Sequence, residues 1–228
     1  MDRTQSRPAV EREVRVKAVG VELEGSLAVP DGAQGMVLFA HGSGSSRHSP
    51  RNQYVARAQR QAGLGTLLMD LLTADEETTD QYTRHLRFDI ELLAMRLLGT
   101  TDWLRQQPQT HDLAIGYFGA STGAGAALLA AAERPDQVRA VVSRGGRPDL
   151  AGPALIRVHA PTLLIVGGAD APVIDLNERA MELLEVEKEL RIVPGATHLF
   201  EEPGAMEEVA RLAADWFVRH LVPAHAVV

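Results

Sequence analysis

The chain has 228 residues, 45% of them hydrophobic and 23% charged, a globular composition that excludes disordered and collagenous classes. Its 23 Lys and Arg against 30 Asp and Glu leave a formal charge of −7, which argues against a surface built for nucleic acid or anionic membrane. Cysteine is absent, so no disulfide framework, thiolate metal site or cysteine nucleophile is available.

A chain of this length builds a core without metal or disulfide support. Residues 1–12 read as a frayed polar tail with no apolar leader pattern. No window reaches the ~18 consecutive apolar residues of a membrane span. The expectation is a cytoplasmic chain with one domain over 13–222 and a short tail at 223–228.

From residue 13 apolar and charged residues alternate. Val14, Val16 and Ala18 form one half-buried strand, and 21–29 alternates again after Gly20, so the pair predicts an antiparallel hairpin closed by Pro30-Asp31-Gly32. Short continuous apolar runs follow at 36–40, 64–69, 113–118, 140–142 and 162–166, with a weaker one at 190–193. Runs without alternation predict strands covered on both faces, as in a parallel sheet. Helical spacing separates them at 51–61, 88–106, 121–133, 176–186 and 205–221, the last turning Val209, Leu212, Trp216 and Phe217 inward. The polar stretch 73–87 has no partner strand and reads as a solvated loop or a mobile flap. Strand and helix in alternation predict an α/β fold, a mostly parallel, doubly wound sheet with the hairpin at its N-terminus.

Gly119-Ala120-Ser121-Thr122-Gly123 directly follows one of these strands and opens an Ala-rich helix. In that setting a serine sits on a strained turn with its hydroxyl above the sheet, and Gly119 and Gly123 remove side chains that would collide with strand and helix. The rival reading is a plain helix N-cap serine. A hydroxyl is a poor nucleophile near pH 7 and needs a base held by an acid. Of the eight histidines, His198 alone follows the last strand at its C-terminal edge, and Asp170 follows the strand at 162–166. Asp175 is the rival acid, read instead as a helix N-cap ahead of Leu176. A structural role is the alternative for His198.

The strand 36–40 runs into His41-Gly42-Ser43-Gly44-Ser45-Ser46. The amides of Ser43 and Thr122 are the expected pair of donors for an oxyanion, with Gly42 and Gly44 letting backbone approach a carbonyl. His41 reads as structural, bonded within this loop. Arg47, Arg144 and Arg147 lie at the same edge of the sheet. One of them clamps a substrate carboxylate, or they form loop salt bridges.

These motifs, with Gly-Gly-Ala-Asp ending at Asp170 and Gly-Ala-Thr-His-Leu-Phe through His198, resemble the α/β-hydrolase superfamily, which shares the order Ser, Asp, His. The compact length, the His-Gly-Ser-Gly loop and the lack of a large cap resemble its dienelactone-hydrolase-like branch. That resemblance implies an esterase fold over about residues 13–221, with Ser121, Asp170 and His198 as a catalytic triad and no metal or organic cofactor. Dienelactone hydrolases proper use a cysteine nucleophile, whereas this chain has Ser121. The implied substrate is therefore a small carboxylic ester or thioester, with acyl transfer or a non-enzymatic role on the same fold as alternatives. No nucleic-acid or membrane partner is expected, and oligomeric state is left open.

Overall fold

The computed structural model describes residues 10–223. Residues 1–9 and 224–228, most of the two expected tails, lie outside the described residues, and Arg12 already belongs to the first strand. Strands β1 (Arg12–Ala18), β2 (Val21–Ala28), β3 (Gly35–Ala40), β4 (Gly65–Met69), β5 (Ala114–Ala120), β6 (Val138–Arg144), β7 (Thr162–Gly167) and β8 (Lys188–Val193) form one sheet. Its spatial order is β1-β2-β4-β3-β5-β6-β7-β8. The hairpin β1–β2 is antiparallel and β2 joins β4 antiparallel, while every later pairing is parallel.

Helices cover both faces. Helix α3 (Ile90–Arg105) and α4 (Thr122–Glu133) pack one face through Leu93, Leu97, Ala126 and Leu128, joined by α5 (Ala171–Leu183). Helix α1 (Pro50–Gln61) and α6 (Ala205–Leu221) pack the other through Val55, Val209, Trp216 and Phe217. This two-sided cover is why the strands read as unbroken apolar runs: β3, β4 and β7 are buried at every residue. Leu212 is only partly buried at the edge of that contact.

Three expectations need correction. The stretch at 73–87 is not a loop but a helix, α2 (Ala74–Thr83), followed by a 3₁₀ turn at Leu86–Phe88. Thr73 and Glu76 form a reciprocal capping box, and Asp75, Glu76 and Glu77 place negative charge at the positive end of the helix dipole. Buried Asp80 then accepts from Leu86 N–H at 2.6 Å and from Arg87 Nε, which ties the 3₁₀ turn back onto α2. Helix α5 begins five residues before position 176, because Pro172 in its first turn suits a helix start. Asp170 is therefore its N-cap position, and Asp175 is an exposed residue inside the helix. Among the described residues no helix is long and apolar enough to cross a membrane.

Candidate active site

All the motif loops emerge at the C-terminal ends of the parallel strands, where open α/β sheets bind ligands. Ser121 is the single residue between β5 and α4, with φ +49° and ψ −122°. A left-handed φ on a non-glycine residue costs ~1–3 kcal/mol and persists only when its surroundings over-determine it. They do so here. Ser121 N–H donates to the Arg144 carbonyl at 3.2 Å, and the Ser121 carbonyl accepts from Ala124 at 3.0 Å and Arg147 at 3.1 Å. The flanking glycines are sterically required. A Cβ on Gly119 would stand 2.4 Å from Ala124 Cα, and one on Gly123 2.3 Å from the Ala40 carbonyl oxygen. The serine side chain makes no capping bond to its helix, which removes the plain N-cap reading.

Asp170 and His198 reach each other from adjacent strands. Gly167, at the end of β7, lies so close to the His198 loop that a Cβ there would be 2.4 Å from the Ala196 carbonyl oxygen. The Ala169 amide donates to that same carbonyl at 2.9 Å. Asp170 heads α5 without capping it, so its carboxylate is free to bond His198 Nδ1 at 2.7 Å. That bond assigns the Nδ1 proton to the aspartate side and leaves Nε2 as the basic nitrogen. Gly145, whose neighbour Arg144 receives the Ser121 N–H, is also packed against His198: a Cβ on it would lie 3.6 Å from His198 Cε1. Among the described residues no hydrogen bond joins Ser121 Oγ to His198; such bonds often tighten only with substrate in place.

The loop after β3 departs from expectation at one bond. Gly42 lies against Ser121, where a Cβ would stand only 3.0 Å from Ser121 Cβ, and Gly44 takes φ +69° to turn the chain. The Ser43 amide, however, donates to the Thr122 side-chain Oγ1 at 2.9 Å. It is already engaged, whereas Thr122 N–H opens α4 without a partner inside the helix. His41 is structural: Nε2 accepts from Leu71 N–H at 3.1 Å and Nδ1 bonds the Gly42 carbonyl at 2.9 Å. Burial pushes its pKa below the ordinary histidine value.

The arginines separate by partner. Arg47 is held by Asp70, by Glu24 at 2.7 Å and by Glu13 at 3.3 Å, so its charge belongs to a loop salt-bridge cluster. Arg147 pairs with Asp149 through two bonds at 2.8 and 2.7 Å. Arg144 has no carboxylate partner among the described residues. It is buried, bonds Asn52 Oδ1 at 3.3 Å, and packs its guanidinium 5.9 Å from the Phe200 ring centre. Burial, with Arg51 nearby, pushes its pKa down to about 10, so it stays charged at neutral pH. A cleft of about 810 Å³ lies between the hairpin, the Ser45–Ser46 turn and α2, and its lining does not include Ser121, Asp170 or His198. The strained serine and the bonded acid–histidine pair lie together at the C-terminal edge of the sheet, outside this cleft.

The family model described as the dienelactone hydrolase family matches residues 23–221. The chain belongs to the dienelactone hydrolase family. A crystal structure of dienelactone hydrolase from Anabaena variabilis is similar at 63% identity, covering 94% of this chain and all of that one, with a TM-score of 0.93. Est1E of Butyrivibrio proteoclasticus is similar in fold alone, at 14% identity over 91% of this chain and 98% of its own, with a TM-score of 0.76. A Mycobacterium tuberculosis H37Rv protein with the provisional name phosphoribosyl transferase is 58% identical over 97% of this chain. The chain spans about half, 49%, of that relative's length. Family membership and fold thus agree with the expected dienelactone-hydrolase-like resemblance and α/β architecture, and the family suggests a hydrolase.

Proposed function

We propose that this chain is a serine hydrolase of small carboxylic esters or thioesters. The observation that carries the reading is the strained Ser121 at the strand–helix elbow, on the same sheet edge as an Asp170–His198 pair bonded at 2.7 Å. In the reaction, Ser121 Oγ bonds the acyl carbon, its proton passes to His198 Nε2, and the carbonyl π pair moves onto oxygen. Asp170 fixes the imidazole tautomer and stabilises the imidazolium. Collapse of the tetrahedral intermediate expels the alkoxide or thiolate, which takes the proton from His198. Water then repeats the steps on the acyl-enzyme and returns Ser121. Each backbone or side-chain donor to the oxyanion is worth ~2.7–4 kcal/mol. Arg144, the one of Arg47, Arg144 and Arg147 without a carboxylate partner among the described residues, is the position we propose for holding an acidic acyl group. The phosphoribosyl name of the mycobacterial relative is not carried over, because this chain spans only 49% of that protein.

The test is intact-mass labelling with a small fluorophosphonate, Ser121→Ala alongside, followed by an ester and thioester panel. One adduct on the wild-type chain, lost in the variant, supports the reading. A folded wild-type chain that takes no adduct overturns it. Acyl transfer is separated by product analysis with added alcohol, because transfer yields a new ester where hydrolysis yields acid.

A further inference from the structure

The bond between Ser43 and Thr122 has a second half. A threonine hydroxyl carries one proton and two lone pairs. Thr122 Oγ1 spends a lone pair on the Ser43 amide at 2.9 Å, and among the described residues its proton has no acceptor. Helical threonines usually give that proton to the carbonyl four residues back. Thr78, Thr100 and Thr101 do so here, to Ala74, Arg96 and Leu97 at 2.8, 2.8 and 3.0 Å. Thr122 has no such carbonyl, because it is the first residue of α4 and the residue four back belongs to β5. Thr122 is buried directly after Ser121, and a cavity of about 10 Å³ that it lines with Gly42, Ser43 and Gly44 is also walled by Glu77, Arg87 and Leu93 and does not reach Ser121.

We infer that the Thr122 hydroxyl, not the Ser43 amide, is the second hydrogen-bond donor to the acyl oxyanion, beside the Thr122 amide. The inference rests on the serine-hydrolase reading. The Ser43 N–H orients the hydroxyl and polarises its O–H, so the pair acts as a two-bond chain ending on the oxyanion. As Ser121 Oγ bonds the acyl carbon and the π pair moves to oxygen, the hydroxyl proton is shared with that oxygen and stays on Thr122. Thr122 is on this account a catalytic residue with two donors, one from the backbone and one from the side chain.

The experiment compares Thr122→Val, Thr122→Ala and Thr122→Ser with the wild-type chain for turnover of a small neutral ester and for the rate of fluorophosphonate labelling. Valine keeps the shape and frees the Ser43 amide. The expected result is a fall in kcat of about 10²–10³-fold for Val and Ala with KM little changed, and recovery to within a few-fold in Ser. Melting temperatures identify any variant that fails through folding, and Ser then carries the comparison against Ala. A Val variant as fast as wild type, or faster, makes Ser43 the donor and overturns the inference. A Ser variant as slow as Val points to the methyl group and overturns it as well. A wild-type chain that neither labels nor turns over the ester overturns the hydrolase reading itself, and this inference with it.

Discussion

Replacing Gly123 by alanine tests whether the contact between β3 and α4 sets the reactive geometry. The added Cβ would stand 2.3 Å from the Ala40 carbonyl oxygen and 2.5 Å from that of His41. Ordinary carbon–oxygen approaches are ~3.3–3.6 Å, so the helix start and the strand end must part by about 1 Å. Both obstructing atoms are backbone, so no rotamer change relieves the clash. Overpacking of this kind costs ~1–3 kcal/mol, which at this chain length lowers the melting temperature by roughly 2–12 °C. The same opening stretches the 2.9 Å Ser43–Thr122 bond, and a 1 Å misplacement costs about a hundredfold in rate. Gly63→Ala is the control. Gly63 has φ +82° and open space around its missing Cβ, so alanine there costs only backbone strain of ~1–2 kcal/mol, far from the elbow. Ester turnover and thermal melts on the pair decide the matter. If Gly123→Ala keeps wild-type kcat while melting no lower than Gly63→Ala, the geometric reasoning is wrong.

Asp80→Ala should lower stability by about 3 kcal/mol, because it removes the buried carboxylate that Arg87 Nε and Leu86 N–H bond and leaves Arg87 only Glu77 at 3.9 Å and the residue-80 carbonyl; a urea midpoint indistinguishable from wild type would refute this. Acidification should also destabilise the fold. Burial depresses the pKa of His41, so the unfolded chain binds a proton that the native state resists. Its contribution is therefore complete above the unfolded value of 6.5 and is lost as pH falls, by at most about 1.4 kcal/mol per pH unit. His220 is depressed in the same direction by burial, and a melting temperature flat from pH 7 to 5 would contradict both. Arg144→Gln should raise KM for a half-ester of a dicarboxylic acid and spare a neutral ester. Arg47→Gln and Arg147→Gln should treat both esters alike, and kinetics on the two substrates give the comparison.

What could be read in the chain follows from how local each signal is. The strands were legible because two-sided burial erases polar residues from them, and the elbow because Gly119 and Gly123 are sterically forced. Helix α2 was not. Asp80 is its only buried residue, so no apolar stripe exists to show a helical period. Its signal was the Thr73–Glu76 capping box, which the polar composition masked. The partners of Arg47 come from Glu13, Glu24 and Asp70, on three separate segments, and no local pattern announces such a cluster. The Ser43–Thr122 bond spans 79 positions, and nothing local in either motif announces that the Ser43 amide is already engaged by the Thr122 hydroxyl.

The placement of the proposed site also bears on how the chain refolds after denaturation. Ser43, Ser121, Asp170 and His198 follow four different strands and come to one sheet edge only when β3, β5, β6, β7 and β8 have paired in parallel. Parallel pairs close long stretches of chain before any contact rewards the lost freedom, which makes them slow to form. Helices such as α4 and α6 can recover early from local sequence. Far-ultraviolet ellipticity should therefore return ahead of ester turnover, and the lag between them measures the docking of the last two strands.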